Sequence, residues 1–172
     1  VNTAEMERAA YRANDIDRCY HCKAELMDVV GPIADNEGAT VILGVNVDDL
    51  ADHRPGQRAA LERGAAFPLV QAGFTKDDVR LVSQAMGLRT WDKPAAACLA
   101  SRVPYGTPVS VEILSRVDRA EAALHGLGFR QVRVRHYGET ARIEVVETEL
   151  EQALAQRVAI IGAVKAAGYQ YV

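Results

Sequence analysis

The sequence predicts an α/β protein, with a parallel-sheet domain followed by a small α+β domain. Three observations carry that expectation. Thr40-Val41-Ile42-Leu43-Gly44-Val45 is a short continuous apolar run, which reads as a strand buried on both faces. Helical apolar spacing brackets it, through Leu26, Val29, Val30 and Ile33 on one side and Val79, Val82 and Met86 on the other. Beyond residue 106 the pattern changes to helix, two alternating strands, helix and a short terminal strand.

In chain order, residues 3–13 read as helical, with a weak stripe of Met6, Ala9, Ala10 and Ala13. Asn14-Asp15 breaks the pattern, a Cys-x-x-Cys segment follows, and a second helix is expected over 23–34. The apolar strand ends in Asn46-Val47-Asp48-Asp49, polar groups placed where open α/β sheets bind ligands. Residues 52–56 read as a loop. Thr75 caps a helix whose first turn carries Asp77 and Asp78, and Gly87 stops it. Residues 88–109 hold three prolines and no period, the mark of a long functional loop bridging two domains. An amphipathic helix is expected over 110–127. Val132, Val134 and His136 then alternate with Arg133, Arg135 and Tyr137, and after Gly138 Ile143 and Val145 alternate with Arg142 and Glu144. That is a hairpin with one apolar and one charged face. One helix over 148–167, ended by Gly168, and a strand over 169–172 complete the chain. The expected domains are 1–106 and 107–172.

Composition narrows the function. At 172 residues with 49% hydrophobic and 25% charged residues, the chain is long enough to bury about two-thirds of its unfolded surface. No apolar run is long enough to span a membrane, and no export leader is visible, so a cytoplasmic protein is expected. A net charge of -3 without Lys/Arg blocks makes nucleic acid an unexpected partner. The chain starts at Val1 rather than Met, and a missing upstream segment is expected.

Three cysteines, Cys19, Cys22 and Cys98, make a disulfide framework unexpected. The spacing in Cys19-Tyr20-His21-Cys22 lets two sulfurs reach one metal centre. With Cys98, three thiolates would hold three irons of a [4Fe–4S] cluster and leave the fourth open. A zinc site with His21 or His53, a thiol redox pair, and a Cys98 that is merely a small buried hydrophobe are the alternatives.

Further candidates follow from charge. Arg133, Arg135 and Arg142 would share the outer face of the hairpin with Glu144. That face is either a phosphate site or a solvated set of ion pairs. Glu121 falls on the apolar stripe of its helix and needs a partner, an Arg or a metal. Arg102, beside Ser101, and Lys93 would bind phosphate or stabilise a Cys98 thiolate. Trp91 is either a base-stacking platform or a packing anchor. His53, His125 and His136 are read as structural.

The segments RCYHCK (18–23), GVNVDD (44–49), DHRPG (52–56), TKDDVRLVSQAMGLRTWDKPAAACLASRVPYG (75–106) and VRVRHYGETARIEV (132–145) together resemble the LarE family. LarE is itself similar to the PP-loop ATP pyrophosphatases, which include NAD and GMP synthetases and tRNA thiolases. The resemblance implies an adenine nucleotide alpha-hydrolase-like parallel-sheet domain, here partial, and a small C-terminal α+β domain that binds substrate phosphate and oligomerises. It implies an ATP-dependent sulfur transferase using ATP with Mg, a nucleotide substrate and a homo-oligomer. The reaction would adenylate a pyridinium carboxylate mononucleotide and convert it to a thiocarboxylate, in making the nickel-pincer nucleotide cofactor of lactate racemase.

By the same resemblance Cys19, Cys22 and Cys98 would hold a [4Fe–4S] cluster, with a sacrificed Cys98 as the alternative sulfur source. Arg133 and Arg135 would hold the substrate phosphate, with Glu121 and Glu144 near it. Asn46, Asp49 and Ser101 would face the nucleotide or Mg, and Arg102 or Lys93 would stabilise developing charge. The family's SGGxDS-like ATP loop does not occur in the chain, so this stretch alone is not expected to adenylate. A tRNA-thiolating PP-loop enzyme and a zinc-stabilised non-catalytic module are the rival readings.

Overall fold

The computed structural model describes residues 1–172, a mixed α/β chain that divides into two compact units, Val1–Pro94 and Ala95–Val172. The Cys98 loop thus belongs to the second unit, whereas the sequence reading placed it at the end of the first.

The first unit is mostly helical. A 3-10 turn at Glu5–Glu7 and the one-turn helix α1 (Ala9–Arg12) replace the single helix expected over 3–13. Asn14 breaks the chain with a positive φ of 56°, a conformation Asn tolerates better than most residues. Helix α2 runs Arg18–Asn36, starting well before residue 23, so the Cys-x-x-Cys lies within its first turns. Asp17 explains the earlier start: its carbonyl accepts the Tyr20 N–H at 2.8 Å and its carboxylate meets His21 Nε2 at 3.2 Å. Met27 of α2, with Val30 packed alongside, forms the core of this unit with Val45, Ala60, Ala65 and Phe67. Ala60 comes from α3 (Pro55–Leu61), which begins inside the segment expected to be loop because proline suits a helix's first turn.

The Thr40–Val45 run does not form the doubly buried strand. It is extended and makes one parallel bridge, Ile42 to Ala66, through Leu43 N–H to Ala66 O at 3.0 Å and Ala66 N–H to Val41 O at 2.9 Å. Ile42 is 66% exposed, and only Val41, Leu43 and Val45 turn to the core. Helices α4 (Pro68–Gln71) and α5 (Lys76–Ala85) follow. The expected cap on α5 is present as a full box: Thr75 Oγ1 accepts the Asp78 N–H and Asp78 accepts the Thr75 N–H.

In the second unit, a 3-10 turn at Leu99–Arg102 leads to α6 (Val111–Gly126), capped by Ser110 Oγ on the Ile113 N–H at 3.2 Å. Strands β1 (Val132–Tyr137) and β2 (Thr140–Val145) pair antiparallel, with Arg133 opposite Glu144, Val134 opposite Ile143 and Arg135 opposite Arg142. The alternation makes a one-sided sheet, apolar inward and charged outward. Gly138, at φ 63°, opens a two-residue loop that needs a left-handed residue there. The expected last helix is two, α7 (Leu150–Ala155) and α8 (Arg157–Ala166), joined at Gln156. The terminal strand reduces to one parallel bridge between Thr140 and Tyr171. Leu124, Phe129, Val134, Ile160, Val164 and Tyr169 form the core between α6, α8 and the hairpin.

Candidate active site

The second unit gathers seven of the residues singled out from sequence: Cys98, Ser101, Arg102, Glu121, Arg133, Arg135 and Glu144. Cys98 is exposed and precedes the 3-10 turn in extended conformation. Ser101 closes that turn, donating its N–H at 3.0 Å and its hydroxyl at 2.7 Å to the Cys98 carbonyl.

The apolar stripe of α6 puts Glu121 in the interior, 7% exposed, where an ionised carboxylate needs partners. It has three. Arg102 Nε donates to one oxygen at 2.8 Å and Nη2 to the other at 3.0 Å, in the fork geometry favoured by guanidinium and carboxylate. The Val134 N–H adds a third bond at 2.9 Å. The partner of Glu121 is thus an arginine and the backbone of β1. The remaining arm of Arg102 turns to the cysteine loop: Nη1 donates to the carbonyls of Ala97 at 2.8 Å and Cys98 at 3.1 Å, and to Ser101 Oγ at 3.1 Å.

The outer face of the hairpin carries the remaining charges. Arg135 Nε donates to Glu144 at 2.9 Å, while its Nη1 reaches the Ser101 carbonyl at 2.8 Å. Arg142 Nη2 takes the other Glu144 oxygen at 2.7 Å. Burial pushes the Glu144 carboxyl up, but the bonds from Arg142 and Arg135 outweigh it and hold the group below the usual glutamate range. Arg133 stands directly opposite Glu144 in the ladder, yet both oxygens of Glu144 are engaged by the other two arginines. Three cations against one anion leave a positive face suited to a phosphate.

The other candidates lie in the first unit. Cys19 and Cys22 are one helical turn apart on α2, so both thiols leave the same side, and neither is in a disulfide. Asn46 and Asp49 form a capping box: Asn46 Oδ1 accepts the Asp48 and Asp49 N–H groups, and Asp49 accepts the Asn46 N–H at 3.1 Å. Asp49 also pairs with Arg54 at 2.8 Å. Lys93 and Trp91 are exposed. No cluster of three or more His, Cys, Asp or Glu side chains forms a ready metal cage.

Two features near the cysteines escaped the sequence reading. Arg18 is buried, bonded to the side chain of the equally buried Asn14, and its Nη2 stands 4.0 Å from Cys19 Sγ. Gly56 lets α3 approach α2 closely, since a Cβ there would sit 3.0 Å from the Cys19 carbonyl oxygen. A glycine at the second position of a helix was the available signal.

The site is thus an exposed thiol on an arginine-pinned loop, tied by hydrogen bonds to a cationic sheet face. No family model matches the chain. Individual relatives do. The chain is 36% identical over 160 residues, 92% of its length and 58% of the relative's, to the pyridinium-3,5-bisthiocarboxylic acid mononucleotide synthase of Lactiplantibacillus plantarum. It is 49% identical over 153 residues, 88% of its own length and 57% of the relative's, to an uncharacterised protein of Synechocystis. A third relative, an uncharacterised protein of Methanocaldococcus jannaschii, is 27% identical over 91% of the chain and 61% of its own length. Over the matched stretch the chain is thus similar to that synthase, in line with the expected LarE resemblance. It spans about three-fifths of the length of these relatives.

Proposed function

We propose that this chain carries the sulfur-delivering and phosphate-holding part of an ATP-dependent sulfur transferase that acts on a pyridinium carboxylate mononucleotide. The supporting observation is the hydrogen-bonded continuity between the Cys98 loop and the arginine face, through Ser101 and Arg135. Phosphate would sit on Arg133 and Arg135, of which Arg135 is oriented by Glu144, and would present the pyridinium carboxylate to sulfur. The product enters the making of the nickel-pincer nucleotide cofactor of lactate racemase. The lone parallel bridge between Ile42 and Ala66, with an exposed apolar edge, suits a partial PP-loop sheet.

The chemistry balances simply. ATP with Mg converts the carboxylate to an acyl-adenylate and releases pyrophosphate. A sulfur nucleophile attacks the acyl carbon, the bond to AMP breaks, and AMP leaves. Thiolate sulfur is nucleophilic at neutral pH and needs little base assistance. If Cys98 itself attacks, the thioester then breaks by elimination: the Cα proton passes to solvent, the Cβ–S bond cleaves with its electron pair going to sulfur, and thiocarboxylate is left on the product and dehydroalanine in the chain.

The [4Fe–4S] reading is carried by the LarE resemblance; none of the three cysteines is in a disulfide, and Cys19 and Cys22 are one helical turn apart. By that resemblance Cys19, Cys22 and Cys98 would hold the cluster, which would carry an added sulfide as the sulfur nucleophile. No helix is long and apolar enough to cross a membrane. A cytoplasmic homo-oligomer is part of the same proposal.

The test supplies a chemically prepared acyl-adenylate of the mononucleotide to anaerobically purified protein and follows thiocarboxylate by mass. Iron, labile sulfide and zinc are measured on the same sample. Thiocarboxylate that disappears with Cys98→Ala supports the reading, and iron and sulfide near four each assign the sulfur to a cluster. A chain lighter by the elements of hydrogen sulfide assigns it to Cys98. Zinc alone, with no thiocarboxylate, overturns the proposal.

A further inference from the structure

Arg102 is oriented away from the role its charge suggests. Its side chain is buried, only 7% of the residue being exposed, and its donors are committed within the unit. Nε and Nη2 are forked on Glu121, and Nη1 shares two hydrogens among Ala97 O, Cys98 O and Ser101 Oγ. Two of those acceptors, Ala97 O and Cys98 O, are the carbonyls of the two peptide units that flank the Cys98 Cα. A guanidinium so engaged has little left for a substrate oxyanion or phosphate. Glu121 in turn hangs from the Val134 N–H, so the arginine is referenced to the backbone of β1, the strand that carries Arg133 and Arg135.

We infer that Arg102 is a positioning residue for Cys98. It fixes the main chain around the thiol relative to β1 and acts on the backbone, not on the reacting atoms. Ser101 and Arg135 make a second tie between the same loop and the same strand, through Ser101 O. Two ties at different points fix an orientation, where a single one would leave the loop free to pivot. The thiol and the phosphate face are thereby set at one separation before substrate arrives, which is where rate is gained in a reaction between two held groups. The catalytic consequence rests on the proposed sulfur-transfer function; the positioning itself does not.

The conservative variant Arg102→Lys separates the roles. Lysine keeps a positive charge beside Glu121 but has no planar fork to span a carboxylate and three oxygen acceptors at once. Amide hydrogen exchange by NMR reads the loop directly, because the N–H groups of Ser101 and Val103 are bonded within the turn, to Cys98 O and Ala100 O. In Arg102→Lys these two amides are expected to exchange about tenfold faster or more, with protection of Val134 retained. In the acyl-adenylate assay kcat is expected to fall about a hundredfold with KM unchanged, since the phosphate face is intact. If lysine is not accommodated, the neutral pair Arg102→Met with Glu121→Leu removes the buried charges together and is expected to free the same two amides. Unchanged exchange at Ser101 and Val103 in a folded variant overturns the inference. So does a loss of transfer expressed in KM. Faster exchange in a protein whose wild type transfers no sulfur leaves the positioning intact and counts against the function instead.

Discussion

Removing the carboxylate of Glu121 is expected to be among the most destabilising single changes in the second unit. Glu121→Ala strands Arg102, whose side chain is 8% exposed and which cannot shed its proton, and it leaves the Val134 N–H without its acceptor. Breaking one partner of a buried pair costs about 3–5 kcal/mol. The contrast is the Glu112–Arg116 pair on the same helix: with Glu112 79% exposed, its loss is worth at most about 1 kcal/mol. Against a total of roughly 5–15 kcal/mol for a small domain, the Glu121 change removes a large part of the unit's stability. The double variant Glu121→Leu with Arg102→Met is expected to recover most of the loss, because neither charge is then buried. Urea unfolding should be followed by NMR signals of Tyr137 and Tyr169 for the second unit, since the single tryptophan, Trp91, and Tyr11 and Tyr20 lie in the first. A cost for Glu121→Ala no greater than for Glu112→Ala, or a double variant no better than the single, would refute the buried-pair argument.

Three further outcomes are expected. Burial, helped by the charge of Arg116, holds the His136 imidazole below its usual pKa, so the unfolded chain takes up a proton first. The associated stability is present above about pH 6.5 and is lost as pH falls through the lower folded value; in His136→Phe, urea midpoints measured from pH 8 to 5 should lose this slope. Gly56→Ala places a Cβ 3.0 Å from the Cys19 carbonyl oxygen. The helix gain of about 0.5–1 kcal/mol is outweighed by overpacking of about 1–3 kcal/mol, so the melting temperature should fall, and a rise would mean that α3 yields freely. Arg133→Ala should weaken binding of a nucleotide monophosphate about tenfold or more by calorimetry while leaving stability within about 0.5 kcal/mol, as suits a side chain holding no other group. Arg135→Ala should weaken both, because it also holds Glu144 and Ser101 O.

The hairpin was legible because period-two alternation, a glycine at the turn and charges on one face all pointed to the same structure. The caps on α5 and α6 were legible for a similar reason: Thr75 and Ser110 act on amides a few residues away. The Thr40–Val45 run was misjudged because a short apolar stretch does not declare how many neighbours it has, and here only Ala66 pairs with it. The Cys-x-x-Cys helix was missed because its cysteines add no helical signal and the start is set by Asp17, outside the apolar pattern. Glu121 was readable as a buried charge in want of a partner. That the partner is Arg102, nineteen positions earlier, was not, since the contact depends on how the loop folds back on α6.

The arginines show why charge alone is a weak guide to role. Arg102, Arg133 and Arg135 look alike in sequence, yet their donors are spent differently. Arg102 is spent on Glu121 and the cysteine loop; Arg135 is divided between Glu144 and that loop; Arg133 faces a carboxylate whose oxygens are taken. A phosphate on this face would therefore find Arg133 uncommitted and Arg135 already aimed, with Glu144 kept ionised by its two guanidinium partners. Such a face resists collapse when empty, because Glu144 offsets part of the repulsion between the cations, and it retains enough positive charge to favour a dianion. The same arrangement makes the two tasks inseparable at Arg135. A phosphate that displaced its guanidinium would disturb Ser101 O, and through Ser101 the Cys98 carbonyl, so in the proposed function one side chain would serve both the phosphate and the thiol loop.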